Sequence, residues 1–156
     1  MRFIDDPVYW GQQYRAFLAE HADRLPPGVA TFALHDWYYN PQEHRCPHDS
    51  WLEELSIIEP WAGNRNEQRS VEVRLRLLGA YHDGHIFFRY LDVRSYSLET
   101  PANFEPSPLH EGHGDFLVDE IRPLPDGSVE HAIKFSTGSR FRIECSNIEF
   151  EFKSIL

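Results

Sequence analysis

The polar and apolar positions of the chain change period near residue 50. Ahead of that point, Trp10, Tyr14, Phe17, Leu18 and His21 recur at spacings of three and four, which places them on one face of a helix. Asp6 followed by Pro7 supplies an N-cap and a first helical residue, so the helix is predicted over 7–24. The stretch LPPG at 25–28 cannot continue it. Residues 29–50 are dense in aromatics without a clean period and read as irregular, with a short strand or a turn of helix around Phe32 to Tyr38.

Beyond residue 50 the period is two. In SVEVRLRLL, Val71, Val73, Leu75 and Leu77 alternate with Glu72, Arg74 and Arg76, the pattern of a half-buried antiparallel strand. Asp83-Gly84 then turns into IFFRYLDV as a hairpin. DFLVDEIRPL, VEHAIKF, RFRIECS and IEFEFKSI read as further strands, with turns at PDGS and STGS, while the proline- and glycine-bearing stretch 101–114 reads as a long loop. The last two segments are out of phase: Phe141, Ile143 and Cys145 are odd, whereas Ile148, Phe150 and Phe152 are even. A bulge or bend at Ser146-Asn147 would restore one buried face. WLEELSII at 51–58 fits a helix, with Ser50 and Glu53 as a capping box, and also fits a strand with Trp51, Leu55 and Ile57 inward. Eight residues ahead of Pro60 make a poor helix, which favours the strand. The fold class expected is α+β, mainly antiparallel β. The N-terminal helix would pack on a curved six- to seven-stranded antiparallel sheet or half-barrel, a single domain over 1–156 with its strands over about 51–154.

Composition changes the picture in two ways. A chain of 156 residues can bury one sizeable core, and its 14% aromatic content suits a sheet. Its formal charge of -10, from 25 acidic and 15 basic residues, argues against non-specific binding to nucleic acid or an anionic membrane and makes a basic protein the natural partner. Two cysteines are too few for a disulfide framework, no charged-then-apolar leader opens MRFIDDPVYW, and no apolar run reaches the roughly 18 residues of a membrane span. A cytoplasmic location is the expectation.

Candidate chemistry concentrates in HRCPHDSWLE at 44–53. His44, Cys46 and His48 alternate along one segment and would converge poorly on an ion, so zinc would need a second element. HEGHGD supplies one, giving His48, His110, His113 and Asp115 as the candidate metal set. That spacing matches no metal signature, and the expected cofactor content is none. His48, Asp49 and Ser50 are the three residue types of a catalytic triad, but successive residues do not put a carboxylate behind an imidazole and a hydroxyl in front of it. No catalytic residue is assigned, and the balance is against an enzyme. The simplest reading makes His48, Asp49 and Trp51 a structural motif: Asp49 accepts backbone N–H bonds, His48 fills a partly buried slot and Trp51 anchors the core at the start of the first strand.

PHDSWLEEL, LRLLGAYHDGHIFFRYLDV, GHGDFLVDEI, VEHAIKF and RFRIECSNIEFEF together resemble small uncharacterised bacterial proteins in which a His-Asp pair opens a strand. Some of these resemble immunity proteins of polymorphic toxin systems. The likeness spans roughly residues 46–152 and leaves the N-terminal helix unmatched. It implies a cytoplasmic bacterial domain, mostly antiparallel sheet, with no established enzymatic role.

Three functional readings follow. The first is an acidic interaction module, in its specific form an immunity-type inhibitor that masks a basic toxin surface. Outward carboxylates such as Glu144, Glu149 and Glu151, and aromatic anchors from Trp37, Tyr38, Tyr39 and Trp61, would make the contact. The second is a small-ligand binder with an aromatic pocket near Trp37, Tyr38, Tyr90 and Tyr96. The third is a metal-assisted hydrolase built on His44, His48, His110, His113 and Asp115.

Overall fold

The computed structural model describes residues 2–6, 10–102 and 112–156, apart from the side chain of Trp10. Helix α1 spans Trp10–Glu20 and is followed by a 3-10 turn, Ala22–Arg24. Pro26 and Pro27 end that run and start another: Pro27 is the first residue of helix α2, Pro27–Ala33, where a missing N–H costs nothing and the fixed φ suits a helix. Helix α2 and a 3-10 turn at Asp36–Tyr39 supply the turn of helix read around Phe32 to Tyr38, with more helix ahead of it than expected, and residues 40–50 carry no helix or strand.

Among the described residues ten strands follow: β1 Trp51–Ile58, β2 Trp61–Ala62, β3 Gln68–Arg69, β4 Glu72–Leu78, β5 Gly84–Leu91, β6 Ser95–Glu99, β7 Phe116–Pro123, β8 Val129–Phe135, β9 Arg140–Cys145 and β10 Asn147–Ser154. All pair antiparallel, but not in one sheet. One four-stranded sheet has the order β1-β4-β5-β10, a second has β6-β9-β8-β7, and β2-β3 is a small separate hairpin. The expected six- to seven-stranded sheet is thus replaced by two four-stranded sheets and a two-stranded one, and the reason for the main division lies at residues 92–94 and 146. Asp92 takes a left-handed φ of 49°, Val93 N–H bonds to Val71 O, Arg94 N–H to Glu144 O and Ser146 N–H to Leu91 O. The two-stranded ribbon β5/β10 bends there and continues as β6/β9 in the second sheet. The phase break read at Ser146-Asn147 is this corner.

A second corner joins the start of β1 to β7 through a bridge between Trp51 and Asp115, with Asp49 N–H bonded to Phe116 O and Phe116 N–H to Ser50 O. Between the corners, Leu75, Leu77, Ile86, Phe88 and Tyr90 of the first sheet belong to one buried core with Ile121, Ile133, Phe135, Phe141 and Ile143 of the second. Helix α2 lies on β10 and sends Phe32 against Phe88 and Phe150. Helix α1 covers the edge strand β7, whose Ile121 N–H donates to the Tyr14 hydroxyl at 2.7 Å, so this edge does not offer that N–H to another chain.

Strand β1 resolves its ambiguous pattern with a bulge. Leu52 pairs with Leu77 and Leu55 with Leu75, and the register shifts between Leu52 and Glu54. Leu52 and Leu55 therefore face the core, and Trp51 does not anchor it: the residue is 48% exposed. Asp49 also acts differently from expectation. It stands at φ 65°, and its carboxylate lies 3.4 Å from His48 Nε2, so it shapes the turn by its backbone conformation.

Candidate functional site

The bend between the 3-10 turn Asp36–Tyr39 and β1 leaves a cavity of about 200 Å³ against β7. Its walls are largely the apolar surfaces of Tyr39, Pro41, Pro47, Phe116 and Leu117, and Asp119 and Cys46 also line it. Cys46 is buried, and its Sγ–H donates to Tyr38 O at 3.0 Å. Burial pushes this thiol up to about 11, so it is a neutral apolar wall and not a nucleophile at neutral pH. His48 Nδ1–H donates to Leu117 O at 3.0 Å, which fixes the ring at the edge of the cavity.

Behind the cavity runs a buried polar chain. Tyr38 O–H donates to Asp119 Oδ2 at 2.5 Å, His131 Nε2 meets the same oxygen at 2.8 Å, and His131 Nδ1 lies 2.8 Å from the Tyr90 hydroxyl. All four residues are at most 3% exposed. Burial, and after it the charge of Asp119, raises the Tyr38 hydroxyl well above its usual 10, which keeps it a neutral donor. Burial does the same for Tyr90. With both hydroxyls donating, His131 accepts at Nδ1 and donates from Nε2, and the chain runs Tyr90 to His131 to Asp119 without an unmet donor. The sequence reading passed over Asp119 and His131. Its usable signal was phase: His131 occupies the inward position of Val129, Ile133 and Phe135, where an apolar residue would be expected.

Outside the cavity the same end of the molecule carries exposed rings and carboxylates. The His44 ring stacks on Tyr81 at 4.1 Å, and the His44 Nδ1 pairs with Asp83. Tyr81 O–H donates to Pro41 O at 3.1 Å. Trp51 Nε1–H donates to Asp115 Oδ1 at 3.0 Å, and its ring meets His82 edge-on at 4.5 Å. Trp51 and Tyr81 are each 48% exposed. His82 and Asp83 reach this face from the turn before β5, through Trp51 and His44 respectively.

The other candidates are distributed differently. Among the described residues, no three His, Cys, Asp or Glu side chains stand where they could hold an ion together. His48 is held by Leu117 O, His113 Nδ1 by Ser139 Oγ at 2.8 Å and Asp115 by Trp51, while His110 lies outside the described residues. Of the aromatic anchors, Tyr38 is core, Tyr39 donates to Ala33 O, and Trp37 packs on Phe150 beneath the Arg45 guanidinium. Trp61 is exposed, on the β2-β3 hairpin. Tyr90 is core and Tyr96 is exposed on β6, so the proposed aromatic pocket does not assemble from them. Glu149 and Glu151 are exposed on β10 but pair with Arg89 at 3.3 Å and Lys153 at 3.7 Å, and Glu144 pairs with Arg142 and Arg94. Arg89 is shared with Glu72, and the Glu151 pair is exposed to solvent, so these contacts reduce the surface charge of β10 without cancelling it. No described helix is long and apolar enough to cross a membrane. Set against protein-family models, curated proteins and solved structures, the chain matches none.

Proposed function

We propose that this protein is a binding module that engages a basic protein surface through the face around Trp51 and Tyr81. An immunity-type inhibitor masking a basic toxin is the specific form of this reading. The observation that carries it is the placement of two half-exposed rings beside Asp115 and Asp83, which suits arginine or lysine side chains stacking on the rings with a carboxylate in reach. The rings are held in place by Asp115 and by Pro41 O and His44, so ordering them on binding costs little rotamer entropy. The formal charge of -10 would speed the encounter with a positive partner. This face is preferred to the anchors read from the sequence, of which Tyr38 is core, Trp37 and Tyr39 are partly buried against it and Trp61 is exposed on the separate β2-β3 hairpin.

The test is affinity capture by the purified chain, followed by association kinetics of the captured partner at two salt concentrations. A basic partner is expected whose association slows as salt rises, because exposed charges are screened over about 8 Å at physiological ionic strength. Trp51→Ala and Tyr81→Ala should each weaken it by about thirtyfold, the cost of losing an interface hot spot of about 2 kcal/mol. A partner indifferent to both substitutions and to salt would overturn the reading.

A further inference from the structure

On the reading that the face around Trp51 and Tyr81 docks a basic protein, we propose that the cavity beside His48 receives an uncharged apolar side chain of that partner, flanked there by arginine or lysine. The cavity's volume of about 200 Å³ exceeds the roughly 150 Å³ that holds a benzene ring in an apolar interior, so a phenyl-sized group fits. Pro41 and Leu117 are its exposed lining, while Pro47 and Phe116 are buried. A side chain can therefore enter from solvent between proline and leucine and come to rest on apolar surface.

The side-chain donors that line the cavity are spent inside the protein. Tyr38 O–H donates to Asp119 Oδ2 at 2.5 Å, Tyr39 O–H to Ala33 O at 2.6 Å, Cys46 Sγ–H to Tyr38 O at 3.0 Å and His48 Nδ1–H to Leu117 O at 3.0 Å. Asp119 is engaged by Tyr38, by His131 and by a further contact, so it does not wait for a cation. An ionic or hydrogen-bonding group would give up its water here without a new partner, whereas an apolar group gains by leaving water.

Charge surrounds the mouth instead. His48 Nε2 lies 3.4 Å from Asp49, Leu117 stands two residues beyond Asp115, and Pro41 O accepts the hydroxyl of Tyr81, whose ring stacks on the Asp83-bound His44. The arginine of the same loop, Arg45, is drawn onto the Trp37 ring at 4.1 Å and toward Glu43 at 3.8 Å. An apolar pocket with carboxylates about its rim is complementary to an apolar residue between cations, the arrangement in which a buried anchor fills a pocket and its polar surround keeps water out.

Two short arginine-rich peptides that differ only in a central phenylalanine or alanine test the proposal on the full chain by titration of amide chemical shifts. The phenylalanine peptide is expected to move residues 38–48 and 116–118 and to bind about tenfold or more tighter than the alanine peptide, the effect of burying a side chain of that size. Benzyl alcohol, which carries the ring without the cations, should move the same residues and compete with the phenylalanine peptide. Leu117→Trp, at the exposed mouth, should bring the two peptides to within about twofold of each other while leaving the unfolding midpoint unchanged. Trp51→Ala should weaken both peptides alike, because it removes a ring of the face and leaves the cavity intact. The comparison of peptides on the parent chain decides the matter even where Leu117→Trp fails to fold. Equal binding of the two peptides, shifts elsewhere, or an undiminished preference for phenylalanine in folded Leu117→Trp would overturn the anchor site and leave the docking face standing. If neither peptide binds, the face and its anchor fall together.

Discussion

Asp49 shows how a residue can matter for a reason its side chain does not suggest. Its φ of 65° is a left-handed conformation that costs most L-residues about 1–2 kcal/mol, and its N–H holds Phe116 O at the corner between the sheets. Asp49→Gly is therefore expected to unfold in urea within about 0.5 kcal/mol of the parent, while Asp49→Val loses about 1–2 kcal/mol. If the carboxylate were the cap expected from PHDS, glycine would be as damaging as valine. The buried chain makes a second residue-scale prediction. Tyr90→Phe leaves His131 Nδ1 buried without its donor and should cost about 1–3 kcal/mol in the same measurement. The thiols make a third: burial raises Cys46 to about 11 and Cys145 to about 12. Both should resist a thiol reagent at pH 8 in the folded protein and react promptly once it is unfolded.

At the scale of elements, the contact of α2 with β10 depends on the absence of a side chain. A Cβ on Gly28 would stand 2.2 Å from Ile148 O and 2.7 Å from Asn147 Oδ1, the atom that accepts the Gly28 N–H. Alanine in a helix ordinarily gains about 1 kcal/mol over glycine, but backbone oxygen cannot give way here. Gly28→Ala should lower thermal stability by about 1–3 kcal/mol net, and an increase would show that the helix does not seat on β10 as described. Helix α2 is hard to see in the sequence because Pro26 and Pro27 end one helix, and only their place in the fold shows that Pro27 also starts the next. Strand β4 was plain, since alternation involves near neighbours alone. The turn after it was placed at Asp83-Gly84, yet the left-handed residue is His82, and Gly79 N–H bonds to Gly84 O. Gly84 is instead needed for space, because a Cβ there would lie 2.9 Å from Lys153 O.

For the whole molecule, the charges on the outer faces couple stability to pH. Burial raises Glu130, but its hydrogen bond to Arg2 and the charges of Arg2 and Arg142 outweigh burial and hold it below its usual 4.5. A hydrogen bond from Arg89 holds Glu72 down, and one from Arg140 holds Asp5 down. Such groups bind protons more readily in the unfolded chain, so their contribution is present above the ordinary carboxyl range and is lost as pH falls through the lowered folded values. The urea midpoint should be level near neutrality and fall below about pH 4.5. Arg2→Met removes one of the two arginines that hold Glu130 down, leaving Arg142 alone against burial, so the decline should begin at higher pH. A decline identical to the parent's would show that Arg2 does not hold the carboxylate.

By itself the sequence determined what depends on near neighbours: the helix around Trp10–Glu20, most of the long strands, the turns around Gly127 and Gly138, and the phase break at Ser146. Periodicity reports which side of a local element is apolar, and that physical property survives without knowledge of the rest of the chain. Tertiary structure decided what depends on distant partners. Whether Ser146 marked a bulge or a change of sheet required the pairing of β5 with β10 and of β6 with β9. Whether Trp51 turned inward depended on a bulge set by β4, and its contact with Asp115 spans 64 positions. Tyr90 meets His131 across 41 positions and His48 meets Leu117 across 69, so the polar chain and the cavity edge came into being only when the two sheets closed on one core.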